Sequence, residues 1–465
     1  MLDADPLTIV PIIHNPTARG RVAVITLGCE KNTVDSEVIA GMLSARGVPL
    51  TEDAAQAERV ILNTCGFIDH AKRESVGAIL EALELKKTGA VREVFVAGCL
   101  SERYRSELEA ELPEVDAFFG TQDFEAILAR LLPERDPGLD LRHNLLGERR
   151  WTGSQSASAY LKISEGCDHP CSFCAIPIMR GGHRSRPIEE LEFEAMMLAA
   201  NGAKELVLIA QDSTNYGLDL PPLSSPRSRG ERGGIARLAE RLARVNGLEW
   251  IRIMYAYPAK FPLDLLDVMA SEEKIVSYLD LPVQHASTAV LRSMRRGITR
   301  RATEDLIGTI RERVPGITLR TTLIVGYPAE GEREFEELEE FVRTMAFDQL
   351  GVFTYSQEEG TTAHPLGDPV PPEEKLRRQE RIYDVQAELS LAKNVAKVGR
   401  VERALIERAD EVETGIYYGR TAAHAPEVDG EVRVSSPFPL AIGQFAPVRI
   451  TGATEFDLEA VPEAG

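Results

Sequence analysis

Glu165-Gly-Cys-Asp-His-Pro-Cys-Ser-Phe-Cys-Ala175 places three thiols, Cys167, Cys171 and Cys174, within eight residues. The other three cysteines, Cys29, Cys65 and Cys99, are spread over the first hundred residues, each beside a glycine. Thiolate is the ligand that iron–sulfur clusters require, and a cubane has four irons to ligate. Three thiolates leave one iron open to another group. Six cysteines in two triplets suggest two such 4Fe-4S clusters, with no cysteine left over.

Other uses of cysteine fit less well. Disulfide scaffolds are short and cysteine-dense, whereas this chain has 465 residues and six cysteines. Structural zinc closes at four ligands, commonly from paired knuckles, and the C-x3-C-x2-C run has no second knuckle. His169 sits inside that loop, badly placed to complete a tetrahedron, and is read as a loop residue. Taken singly, Cys29, Cys65 and Cys99 could be small buried hydrophobes.

Their context argues for more. Arg21–Leu27, Arg59–Asn63 and Glu93–Ala97 are short apolar runs of the buried parallel type, separated by helical segments near 34–46, 69–87 and 101–111. Such βαβ units form an open parallel sheet, and each run is followed at once by one of the three cysteines. Ligands of open α/β sheets bind just outside the carboxyl ends of the strands. Neighbouring strands are about 5 Å apart, so three adjacent strand ends could share one cluster.

A second series of strands is expected at 160–164, 205–210, 249–254, 277–281, 317–325 and 348–354. Six βα units suit a partial barrel with its site at the carboxyl-terminal face, where the three-cysteine loop would lie. The expected organisation is α/β throughout the first two parts. It comprises a flexible leader (1–20), an N-terminal cluster domain (21–135) and a barrel (155–371) carrying a Pro/Ser/Gly/Arg-rich surface insertion at 219–234. A charged linker helix (372–397) then leads away from the barrel to a small β-barrel (398–461).

The net charge of −20 argues against a chain whose main task is gripping phosphate backbones. No apolar run is long enough to cross a bilayer, and residues 1–20 lack the pattern of a signal peptide. A cytoplasmic chain with reduced thiols is expected.

Cys167-x3-Cys171-x2-Cys174 resembles the radical S-adenosylmethionine signature. With the N-terminal triplet, the barrel and the terminal β-module, the chain from about 21 to 461 resembles the methylthiotransferases, whose last module is a TRAM domain. Leu27-Gly-Cys-Glu-Lys-Asn-Thr-Val-Asp-Ser-Glu37, Ile163–His169, Ile178-Met-Arg-Gly181 and Gly351-Val-Phe-Thr-Tyr-Ser356 look like the RimO-type branch, which modifies small-subunit ribosomal protein S-twelve. The insertion 219–234 is not part of that pattern.

The resemblance implies that the iron held by Cys167, Cys171 and Cys174 chelates S-adenosylmethionine, whose cleavage yields a 5′-deoxyadenosyl radical. That radical would take hydrogen from an aspartate β-carbon. The cluster of Cys29, Cys65 and Cys99 would present the sulfur, and a second S-adenosylmethionine the methyl group, giving 3-methylthioaspartate. Implied partners are a reductant such as flavodoxin or ferredoxin, and a sulfur donor.

Further ligands are expected from strand ends by general pocket logic. Gln211 and Asp212 could bond the ribose hydroxyls. Gln284, His285 and Ser287 end the fourth barrel strand, Arg320 could point inward to a carboxylate, and Gly326 would allow close approach to adenine. Each could equally be strand-end turn chemistry or a satisfied core polar group. Lys31, Asn32 and Asp35 follow the first cysteine, where capping the next helix is the commoner role.

The nearest rival is a tRNA adenosine methylthiotransferase with the same chemistry. From Lys397 to Gly465 there are seven basic and twelve acidic residues, a net −5, which suits a basic protein partner better than RNA. A two-cluster electron carrier is a more distant rival, because it would need a fourth ligand for each cluster.

Overall fold

Arg59–Thr64 and Glu93–Gly98 are nearly continuous apolar runs, as a strand covered on both faces requires. In the computed structural model, which describes residues 20–132, 150, 156–220 and 234–463, they form the centre of a five-stranded parallel sheet. The strand order is Leu50–Thr51, Val22–Thr26, Arg59–Thr64, Glu93–Gly98, Ala117–Phe118. Alternate side chains enter two apolar layers. Val22, Ile61 and Phe95 pack with Ile39 and Leu43 on one face; Val60, Leu62, Val94 and Val96 pack with Ile79 on the other. The register pairs Thr26 with Asn63 and Thr64 with Gly98, so the three cysteine-bearing ends lie level on neighbouring strands.

The chain divides into two compact units, residues 1–151 and 152–465. The second begins with six parallel strands in sequence order: Ser158–Lys162, Glu205–Ile209, Trp250–Ile253, Ile275–Asp280, Thr318–Val325 and Gln349–Thr354. All six expected strands form. The first ends two residues early, because Ser164–Glu165 pairs instead with Arg184–Ser185 and so closes the base of the cysteine loop. The leader up to residue 19 and residues 221–233 of the insertion lie outside the described residues.

The helix Pro372–Val395 does not lead away from the barrel, as its charge suggested. Ile382 and Val385 are buried in the barrel core. Its polar side chains complete the last strand: Gln379 Nε2 donates to the Val352 carbonyl at 2.7 Å, and Val352 N–H donates to Tyr383 Oη at 3.1 Å. An open sheet edge leaves such groups unsatisfied, and here a helix covers them. Most of its charged residues face outward, but Lys375 and Arg378 are buried in the inward stripe, bonded to the Tyr355 carbonyl and to Glu330.

Five strands from Val401 to Pro462 close into a small barrel around Ala404, Ile406, Val434, Val448 and Ile450. This module is joined to the six-stranded barrel by buried charge. Glu205 lies between two arginines, with Arg252 Nε at 2.8 Å and Arg420 of the small barrel at 2.6 Å. Glu205 and Arg252 are fully buried. Burial alone would raise the Glu205 carboxyl, but the two guanidinium groups prevail and hold it near 2. Arg252 also donates to the Ala422 carbonyl, and Tyr278 Oη donates to Asp429 at 2.6 Å.

Candidate functional site

In the first unit, three strands stop level and one amide ties their ends together. Asn32 Nδ2 donates to the carbonyls of Leu27 and Thr64, at 2.7 and 3.2 Å, and Asn32 Oδ1 lies 3.9 Å from Cys99 Sγ. One side chain thus touches the chain segments of Cys29, Cys65 and Cys99. Cys29 itself occupies the N-cap of the helix Glu30–Ser44, with no side-chain cap bond. Capping is therefore not what Lys31, Asn32 and Asp35 do; all three are buried, and Asn32 is the hub of this site. Ser75 Oγ accepts from Cys65 N–H and donates to the Cys65 carbonyl.

In the second unit, the loop Gly166–Ala175 lies past the end of the first barrel strand. It is clamped by backbone bonds from Ser172 N–H to Met294 O and from Ala363 N–H to Ser172 O, and by Ser172 Oγ at 2.9 Å from Tyr327 Oη. Arg296 Nη1 reaches Cys171 Sγ at 3.4 Å, and its guanidinium covers the Tyr257 ring. Burial pushes the thiols up, Cys167 to about 11 and Cys174 to about 12. None of the six cysteines forms a disulfide. Among the described residues, no three His, Cys, Asp or Glu side chains converge closely enough to hold a single metal ion. A cubane asks for a wider arrangement, because each thiolate meets a different iron.

The polar residues expected at the strand ends divide into two groups. Gln211 donates to Glu165 at 3.2 Å, and its own amide oxygen is buried with no partner. Gln284 has the left-handed backbone angle φ = 72°, and its amide oxygen is likewise buried and unpartnered. Buried carbonyl oxygens require a donor, and an ammonium or ribose hydroxyl supplies one. These residues therefore fit a bound S-adenosylmethionine.

The remainder are committed elsewhere. Asp212 was expected to meet ribose; instead its Oδ1 accepts from Thr214 N–H and Oγ1, and its Oδ2 lies 2.5 Å from His169 Nε2. His169 stacks on Tyr257 at 3.6 Å, so this set anchors the cysteine loop to the second strand. Arg320, expected to point to a ligand carboxylate, instead pairs in this structure with Asp280 and with Asp429 of the small barrel, each at 3.3 Å. Two protein carboxylates claimed it first.

Gly326, with φ = 75°, makes room for Lys375, whose side chain a Cβ there would strike. His285 Nε2 lies 3.0 Å from Glu330, which also accepts from Gly326 N–H and Arg378. Ser287 is buried, and its N–H donates to His285 Nδ1 at 3.0 Å.

Two charged residues escaped the sequence reading. Glu165 is held near 2: burial raises it, but Lys162 at 2.7 Å and Arg180 at 2.9 Å outweigh that. It is a permanent carboxylate two residues before Cys167. Arg296 is the other, and its only signal was a pair of adjacent arginines in a stretch without acids.

Six parallel strands in sequence order, with three clustered cysteines after the first, define a radical S-adenosylmethionine enzyme. The Radical SAM superfamily matches residues 161–342, a TRAM domain 398–462, and the Uncharacterized protein family UPF0004 residues 21–120. The fold is shared with the radical S-adenosylmethionine methyltransferase TsrM of Kitasatospora setae, at a TM-score of 0.54 and 14% identity, covering 75% of this chain and 77% of that one. The ribosomal protein uS12 methylthiotransferase RimO of Flavobacterium johnsoniae is 49% identical over 96% of this chain and 98% of its own. The one from Chloroherpeton thalassium is 50% identical over 95% and 98%. The chain belongs to the RimO family of radical S-adenosylmethionine methylthiotransferases.

Proposed function

We propose that this enzyme places a methylthio group on the β-carbon of an aspartate of ribosomal protein uS12, in the cytoplasm, using two 4Fe-4S clusters. The observation that carries the two-cluster reading is the level alignment of three cysteine-bearing strand ends around Asn32, in a unit separate from the Cys167–Cys174 loop. When bound, the barrel's cluster supplies the electron that cleaves S-adenosylmethionine, and the other cluster supplies the sulfur.

The chain's own residues orient and shield. Cys167, Cys171 and Cys174 would hold one cluster, and Cys29, Cys65 and Cys99 the other. Gln211 and Gln284 offer unsatisfied amide oxygens to the methionyl ammonium and ribose hydroxyls of S-adenosylmethionine. Glu165, Arg180 and Lys162 form a charged set that keeps Gln211 oriented. Tyr257, buried and stacked on His169, packs against the loop.

The test is mass spectrometry of uS12 after incubation with reconstituted enzyme, S-adenosylmethionine and dithionite, with bulk tRNA as a parallel substrate. One methylthio group replacing one hydrogen on the aspartate is expected. Modified tRNA with unmodified uS12 would overturn the substrate assignment.

A further inference from the structure

A cleft of about 850 Å³ adjoins the cysteine loop. Pro170, one residue before Cys171, lines it together with Lys260, Leu263, Arg292, Arg295 and Ile298. Lys260, Arg292 and Arg295 are exposed, and among the described residues none of them meets a carboxylate. The local sequence explains this: from Leu281 to Thr303 there are five arginines and no acid, in a chain of net charge −20.

Two of these cations stand on unfavourable backbone. Lys260 has φ = 59° and Arg295 φ = 56°, a region in which a Cβ is disfavoured and glycine is at ease. Long cationic side chains held at such positions, around one cleft and without internal partners, point to an external anionic partner.

We propose that this cleft is the docking surface for an acidic one-electron carrier protein, which delivers its electron to the site of Cys167, Cys171 and Cys174. The inference rests on the proposed function, which consumes one electron for each S-adenosylmethionine cleaved. The carrier is oxidised by one electron, and that electron is used when the sulfonium–C5′ bond breaks to leave methionine. The path is short: Arg295 on the cleft precedes Arg296, whose Nη1 touches Cys171 Sγ.

A protein suits the cleft better than a nucleic acid does. Apolar residues, including Leu263 at 44% exposure, line the cleft beside the cations, and such a mixture of apolar and cationic surface suits a protein interface. Single-stranded nucleic acid is gripped by stacking on aromatic rings, and the one ring in the cleft, Phe261, is buried.

The experiment titrates full-length reconstituted enzyme with purified acidic flavodoxin, and separately with ferredoxin, at about 0.05 M and about 0.3 M salt, concentrations that bracket a Debye length of about 10 Å. Binding to at least one carrier is expected, weakening steeply with salt. The variant Lys260→Gly/Arg292→Gln/Arg295→Gly should lose about tenfold or more in affinity, roughly 1.4 kcal/mol. It should melt no lower than wild type, because the glycines relieve left-handed backbone. Carrier-driven cleavage of S-adenosylmethionine should fall in parallel, while dithionite-driven cleavage stays at the wild-type rate.

Wild-type affinity in the triple variant, or a wild type that binds neither carrier, overturns the proposal. So does selective, cleft-dependent binding of a ribosomal RNA transcript. A wild type that makes no 5′-deoxyadenosine even with dithionite defeats the proposed function instead, and the binding titration then judges the docking surface by itself.

Discussion

Gly98 shows how closely the first cysteine site is built. Its φ is 93°, and a Cβ there would lie 2.4 Å from Asn63 Oδ1 and 2.6 Å from the Thr64 carbonyl. Gly98→Ala should therefore cost about 1–3 kcal/mol through backbone strain and displaced neighbours. It should also shift Cys99 from its place near Asn32, lowering the iron bound by the first unit. Denaturant unfolding and an iron assay read the two effects; unchanged values in both would show that the strand ends tolerate the shift. At the other site, Asp212→Ala removes both acceptor oxygens, so the His169 contact and the Thr214 bonds are lost together. S-adenosylmethionine cleavage should drop several-fold with no loss of iron, because the loop loses its anchor while keeping its thiols.

Elements join through polar groups as much as through apolar ones. Changing both Gln379 and Tyr383 to Leu and Phe would strip the partners from the N–H and carbonyl of Val352, at about 1–3 kcal/mol for each group left buried and unsatisfied. Faster hydrogen exchange along Gln349–Thr354, and a lower denaturation midpoint, are the expected signs. The junction of the small barrel is sensitive to acid. His424 is fully buried, and burial, aided by Lys397, Arg252 and Arg420, pushes it down from 6.5 to about 3; Glu205 is held near 2 against 4.5.

As pH falls, the unfolded chain therefore takes up both protons before the folded chain does. Stability from His424 is complete above about pH 6.5 and lost towards 3, and that from Glu205 is complete above about 4.5 and lost towards 2. Urea midpoints of the protein should decline below pH 6.5 and steepen below 4.5. Arg420→Ala, which leaves Glu205 with one partner, should cost on the order of 3–5 kcal/mol at neutral pH. A midpoint unchanged from pH 7 to pH 4 would show that these groups do not titrate with folding.

For the whole molecule, charge is the property that reaches a partner before contact. The terminal module carries a net −5, and its acids are not equivalent. Glu407 and Asp429 are consumed in pairs with Arg420 and Arg320, whereas Glu411, Glu427 and Glu455 are exposed. Reversing those last three to Lys should slow association with uS12, as attraction of the acidic module to a basic partner requires, most at low salt, without changing uncoupled cleavage of S-adenosylmethionine. Stopped-flow association rates test this; unaltered rates would place recognition elsewhere. Replacing Cys167, Cys171 and Cys174 together by Ala should reduce bound iron from about eight to about four per chain and abolish cleavage. Replacing Cys29, Cys65 and Cys99 should leave the other four, about half the iron again, and spare cleavage, while stopping methylthio transfer.

The alternation of apolar strands with helices, and the position of each cysteine just past a strand, determined the two parallel sheets and both candidate sites from the sequence alone. Those features are local, because strand burial and thiol spacing are written in consecutive residues. What Asp212, Arg320 and Gly326 do was decided only in three dimensions. Their partners are His169, Asp429 and Lys375, tens of residues or more than a hundred away, and no local pattern announces which carboxylate an arginine will find. The course of the helix Pro372–Val395 was hidden for the same reason: its sheet-facing stripe is narrow and partly polar, and it is legible only once the open edge of the last strand is seen. The unpartnered cations at Lys260, Arg292 and Arg295 depend on both levels. The sequence supplies an arginine run without acids, and among the described residues the fold brings no carboxylate to these three side chains.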